Sequence, residues 1–157
     1  MFLVSVLLIM AFTLPFKSTS NQHYIEATHR LYLTEIATRQ DLIKFVPNGG
    51  EALELGVRTG IFSEQMLKLE HLGHLTSIDA WQDTKRNHYI SEYGITIKKV
   101  RPYRTNSTII RMFFDEAAIY FENETFDFIY VDGYAHTGAN RGKDFITWWP
   151  KLKKGGL

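Results

Sequence analysis

The sequence predicts an α/β domain built on a parallel sheet, and three observations carry that expectation. Beyond the Asn48-Gly49-Gly50 turn, short apolar runs alternate with segments of helical period, the pattern of strands joined by crossover helices. The first run, Ala52 to Val57, opens into a turn bounded by Gly56 and Gly60. Glycines in such a turn admit positive φ and let a ligand come close to main-chain N–H groups. Carboxylates also fall at or near the ends of three runs, at Glu54, Asp79 and Asp132, where open parallel sheets collect their ligands.

The elements follow in order. Tyr24, Ile25, Leu31, Leu33, Ile36, Leu42, Ile43 and Phe45 recur at helical spacing as far as Pro47, with polar residues blurring the period between Thr34 and Gln40. After the first strand, Ser63 is the expected N-cap of a helix carrying Phe62, Met66, Leu67 and Leu69 and ending near Gly73. His74 to Ala80 reads as the second strand. Gln82 to Tyr103 is polar and helical in part, interrupted at Gly94 and stopped before Pro102. Ser107 to Phe113 gives a third strand, followed by a helix capped by Asp115 and running through Tyr120. Phe126 to Val131 is the fourth strand, closed by Asp132-Gly133, and a helix from about Gly142 to Trp149 stops at Pro150. No repeat or low-complexity linker divides the chain.

The totals bound the function. A chain of 157 residues has room for one domain with its own core. A formal net charge of +1 supplies no broad field for nucleic acid, so none is expected as a partner. The absence of cysteine excludes disulfides, thiolate metal sites and cysteine nucleophiles. Residues 1–20 form a separate apolar segment: Met1 to Phe16 is almost wholly apolar but shorter than a spanning helix and lacks a preceding basic flank. It reads as a signal or anchor, which implies the secretory pathway or a membrane contact through residues 1–16, or as a spurious start, which implies the cytoplasm. On an ER route Asn106-Ser-Thr108 and Asn123-Glu-Thr125 would be glycan acceptors.

The candidate chemistry sits at the strand ends. Asp79 lies 23 residues after Gly56, near the spacing at which an acid meets ribose hydroxyls in nucleotide-binding folds. The plainer reading makes Asp79 a helix cap or an exposed turn residue, but the glycine turn upstream favours ribose binding; Glu54 could be a charge that simply ends a strand. Only two glycines are present in the turn, so the dinucleotide pattern of three is not met. The Glu-x-Gly-x-x-x-Gly spacing instead resembles the first motif of the class I S-adenosylmethionine (SAM)-dependent methyltransferases. The run Phe126-Asp-Phe-Ile-Tyr-Val-Asp-Gly-Tyr-Ala-His136, followed by Asp144, Trp148 and Leu152-Lys-Lys-Gly-Gly-Leu157, resembles their small-molecule O-methyltransferase branch. In that branch the His commonly stands one residue nearer to Asp-Gly and a Pro commonly stands where this chain has Lys154.

The resemblance covers roughly Asp41 to Leu157 and implies a Rossmann-like sheet with strand order 3-2-1-4, SAM as cofactor and a small-molecule acceptor. It implies that Glu54, Gly56, Gly60 and Asp79 bind the cofactor, with Phe114 and Asp115 placed near its adenine. Asp132 and His136 would be catalytic, His136 as the base for a hydroxyl acceptor. Some members use a metal, which here would be a divalent cation such as Mg held by Asp132, His136 and Asp144. Relative to the branch, residues 21–157 make a SAM-binding domain without its last strands. That leaves the fourth strand an edge expected to pair with further chain or with a partner. The rival readings are a nucleotide- or NAD-binding domain of an oxidoreductase and a non-catalytic remnant that serves as a binding module.

Overall fold

The structure, a computed structural model, describes residues 36–83, 89–133 and 141–157. The expectations placed on residues 1–35 and on His136 therefore lie outside the described residues. Four parallel strands, β1 (Gly50–Leu55), β2 (Leu72–Asp79), β3 (Ser107–Arg111) and β4 (Phe128–Val131), form one sheet in the order β3-β2-β1-β4. The strand order predicted from the sequence is therefore the one observed. Among the described residues no helix is long and apolar enough to cross a membrane.

The pleat sorts β1 onto two faces. Leu53 and Leu55 point to one side and join Ile78, Phe114, Ala117, Phe126 and Trp148 in a buried cluster. This side is covered by α3 (Phe114–Ala117) and α4 (Lys143–Trp148). Glu54 points to the other side, as does Tyr130, its register partner on β4. That side is met by α1 (Ile61–Leu67), whose Phe62 ring stands 4.6 Å from the Tyr130 ring. α2 (Tyr89–Val100) runs alongside and passes through Gly94 without a break.

Four features differ from expectation for identifiable reasons. Gly60, at φ 69°, is the N-cap of α1, so Ser63 is not a cap but a buried residue of the first turn. Phe113 caps α3, which leaves Asp115 in its first turn. α2 tolerates Gly94 because a single helical glycine costs only about 1 kcal/mol and its neighbours carry the pattern. The outer edge of β4 is not wholly open. The chain's own last residues lie along it, with Leu152 bridged to Phe126, Lys153 N donating to Phe126 O, Leu157 N to Asp127 O and Ile129 N to Leu157 O. Pairing with another chain is thus forestalled over the first part of that edge.

Two glycines give opposite expectations. A Cβ at Gly73 would come within 2.2 Å of the Gly49 carbonyl oxygen, because the turn before β1 is docked on β2 through Gly49 N–H and His71 O. A Cβ at Gly94 meets nothing within 4 Å. In urea unfolding, Gly94→Ala is expected to stabilise by roughly 0.5–1 kcal/mol and Gly73→Ala to destabilise by about 1–3 kcal/mol.

Candidate functional site

The bend after β1 is tied to the end of β2 by one carboxylate. Asp79 Oδ2 accepts from the N–H groups of Val57 (2.9 Å) and Arg58 (3.0 Å), and Oδ1 accepts from Trp81 N–H at 2.9 Å. The Arg58 carbonyl in turn accepts from Trp81 Nε1 (2.7 Å) and from Thr96 Oγ1 of α2 (2.8 Å). Arg58 and Trp81 both carry positive φ, 57° and 39°, a conformation that costs a non-glycine residue about 1–2 kcal/mol. The bonds converging on Asp79 and on the Arg58 carbonyl hold that strained geometry. Arg58 is accordingly a turn residue whose side chain pairs with Glu92 at 3.4 Å.

The two glycines of the bend are required by the protein's own packing. Gly56 has φ 94°, and a Cβ there would lie 2.7 Å from the Gly133 nitrogen at the tip of β4. Gly60 has φ 69°, and a Cβ would lie 2.9 Å from Cγ2 of Thr96 on α2. The first contact brings the tips of β1 and β4 together and the second seats α2 against the turn.

Glu54 lies on the helix-covered face of β1 and is only 1% exposed. Ser63 of α1 and Ser77 of β2 both donate their hydroxyls to its Oε2, the latter at 3.1 Å. Ser77 stands opposite Glu54 in the β1–β2 register, so the pleat itself aims the pair at one another. Burial outweighs those hydrogen bonds and the nearby Arg39 charge, and pushes the Glu54 carboxyl up to about 7. Asp132, by contrast, keeps its side chain 35% exposed, with Oδ1 accepting from Gly133 N–H and Oδ2 3.5 Å from Arg39 Nη1.

These groups surround one cavity of ≈ 900 Å³ beside Gly56. Of the residues singled out from the sequence, Glu54, Gly56, Asp79, Phe114 and Asp132 line it. Gly60 and Asp115 do not: Gly60 faces Thr96, and Asp115 is exposed in the first turn of α3. The ring of Phe114 is 3% exposed and belongs mainly to the core, while its neighbour Phe113 is 39% exposed and lines the cavity. Asp144 is buried in the first turn of α4 and is not part of the lining. No group of three His, Cys, Asp or Glu side chains able to hold a metal occurs among the described residues. Of the three ligands expected for a cation, His136 lies outside the described residues, and Asp144 stands apart from the cavity that Asp132 lines.

Arg39, Phe62, Trp81 and Tyr89 also line the cavity, and none was singled out from the sequence. Arg39 opens a short 3-10 helix, Arg39–Phe45, inside the stretch where polar residues blurred the period. A legible signal lay next to it: Thr38 and Asp41 have the three-residue spacing of a reciprocal cap. Thr38 N–H and Oγ1 do donate to Asp41 Oδ2, each at 2.8 Å.

Comparison with known proteins agrees with this architecture. A protein of Methanococcus maripaludis assigned as an S-adenosyl-L-methionine-dependent methyltransferase superposes with TM-score 0.59 at 16% identity, over 92% of this chain and 64% of that one. A SAM-dependent methyltransferase from Aquifex aeolicus gives 0.55 at 17% identity over 82% and 66%. Spermidine synthase from Thermotoga maritima gives 0.53 at 17% over 78% and 40%. The chain spans less than two thirds of the length of the first of these. At such identities the likeness establishes the fold, a Rossmann-like methyltransferase sheet. No curated protein matches the sequence. The sequence profile of a family described as a methyltransferase domain, however, matches residues 53–157. That span holds the glycine bend, all three strand-tip acids and the closing Gly-Gly-Leu turn, and the chain belongs to that methyltransferase family.

Proposed function

We propose that this domain binds SAM and directs its methyl group to a small-molecule acceptor, at a hydroxyl oxygen. The observation that carries the reading is the single hollow beside Gly56 that Glu54, Asp79 and Asp132 all line. Its volume suits a cofactor-sized ligand. The residues present fit the cofactor's parts. Asp79 commits Oδ2 to two N–H groups but Oδ1 to one, so a lone pair on Oδ1 is left for a ribose hydroxyl. Phe113, just past β3, offers a ring to the adenine. Asp132 places negative charge where the cationic, methionine-derived end would lie, with the buried Glu54 carboxyl beside it.

When bound, the cofactor supplies a methyl group already activated by its sulfonium. The chain's own contribution is alignment and exclusion of water. His136 follows from the family resemblance as the group that takes the acceptor's proton as attack proceeds. A formal charge of +1 favours a small acceptor over a polyanionic one.

Calorimetry with SAM and S-adenosylhomocysteine tests the reading. Both should bind, and NAD should not; absence of heat from folded protein, or preference for NAD, would end it. Phe113→Ala removes an exposed ring with no core role and is expected to weaken S-adenosylhomocysteine about tenfold, the value of one base-stacking contact, with no change in Tm.

Glu54 makes a separate prediction about pH. Its folded-state value of about 7 exceeds the ordinary 4.5, so between these values the native state holds a proton the unfolded chain has released. Its stabilising contribution is fully present below about 4.5 and is lost as pH rises through about 7, a swing of roughly 3 kcal/mol. Urea midpoints between about pH 5 and pH 8 should therefore fall for the wild type relative to Glu54→Gln. Parallel curves for the two proteins would contradict the assignment.

A further inference from the structure

The Arg39–Asp132 contact has features of a pair made to be exchanged. Arg39 reaches the cavity from the segment before β1, and its guanidinium carbon sits 4.3 Å from the centroid of the Phe62 ring. A cation resting on a ring face keeps its N–H donors free to form hydrogen bonds at its edge. The contact with Asp132 is 3.5 Å, longer than a well-formed charge-assisted hydrogen bond of about 2.8 Å. Both side chains are more than a third exposed, at 40% and 35%, so opening the pair costs little. The turn that carries Arg39 is nevertheless fixed, because Thr38 and Asp41 clamp it from both sides.

Position supplies the ligand's chemistry. β1 separates β2 from β4, so Asp79 and Asp132 stand two strand spacings apart, roughly 10 Å. A cofactor whose ribose meets Asp79 and whose chain crosses the tip of β1 brings its far end to Arg39 and Asp132. That end of SAM is a zwitterion, an ammonium and a carboxylate on one carbon. We propose that Arg39 and Asp132 part to receive it, the guanidinium taking the α-carboxylate and Asp132 the ammonium. The proposal rests on the cofactor reading above. It makes Arg39 a cofactor-specificity residue: one that separates ligands bearing an aminocarboxylate from those with the adenosyl thioether alone. The exchange leaves no charge unpaired, because each member of the pair trades its partner for the matching half of the ligand.

The test uses two probes of the whole chain by calorimetry: S-adenosylhomocysteine, and 5′-methylthioadenosine, which keeps the nucleoside and sulfur but lacks the aminocarboxylate. Arg39→Gln is expected to weaken the first by about ten- to a hundredfold, the value of a charged hydrogen bond, and to leave the second within about twofold. Arg39→Lys, which restores charge without the planar fork, should recover part of the loss. Thermal melting of each variant checks that the fold is intact. Equal losses for both probes, or none for S-adenosylhomocysteine, would overturn the role of Arg39 while leaving the cofactor reading in place. Failure of the wild type to bind either probe would overturn the cofactor reading and this proposal together.

Discussion

A closed circuit of three hydrogen bonds organises the working end of the sheet. Arg58 N–H donates to Asp79 Oδ2, Trp81 N–H donates to Asp79 Oδ1, and Trp81 Nε1 donates back to the Arg58 carbonyl. Without it, two non-glycine residues with positive φ would relax toward ordinary backbone. α2 is anchored to the same carbonyl through Thr96, and its first turns supply Tyr89 and Glu92 to the cavity wall. Asp79 is therefore a structural clasp before it is anything else. A ligand hydroxyl would meet an acid whose position is already determined by three main-chain donors.

The three acids at neighbouring strand tips come from the same residue class but occupy very different environments. Asp79 is saturated by backbone N–H groups on one oxygen. Glu54 has been turned inward by the pleat and sits dry between two serine hydroxyls. Asp132, at the end of the shortest strand, stays in contact with water. Position along the pleat decides among these outcomes, since one residue of offset would move Glu54 to the face occupied by Leu53 and Leu55. An acid held near neutrality beside one that stays solvated lets the site meet a cation without presenting two fixed charges at close range.

Much of the fold was legible because it rests on short-range rules. Apolar runs of strand length, Asn48-Gly49-Gly50 and the Asp132-Gly133 stop located the strands, while their order, as observed, was what the family resemblance implied. Element ends were less legible, because tertiary contacts moved them: Gly60 takes over as cap since Ser63 is drawn to Glu54, and α2 continues through Gly94. At the site, acids at strand ends were readable from spacing. Arg39 was not, since nothing in the local pattern shows that a residue before β1 will lie over Phe62 and against Asp132, 93 positions further on. Asp144, a plausible ligand by sequence, is buried in the first turn of α4 and lies outside the cavity lining.

The glycine bend also acquires a different physical meaning once its neighbours are known. From sequence, Gly56 reads as a way of admitting a ligand to the backbone. In the fold it admits Gly133, whose nitrogen would lie 2.7 Å from a Cβ at that position. The reciprocal approach is also tight, since a Cβ at Gly133 would lie 3.4 Å from Gly56 Cα. A side chain at Gly56 would push the tip of β4 outward and carry Asp132 away from Glu54 and Arg39. The spacing of glycines after β1 thus sets the distance between acids on two strands, and with it which ligand charges the hollow can match.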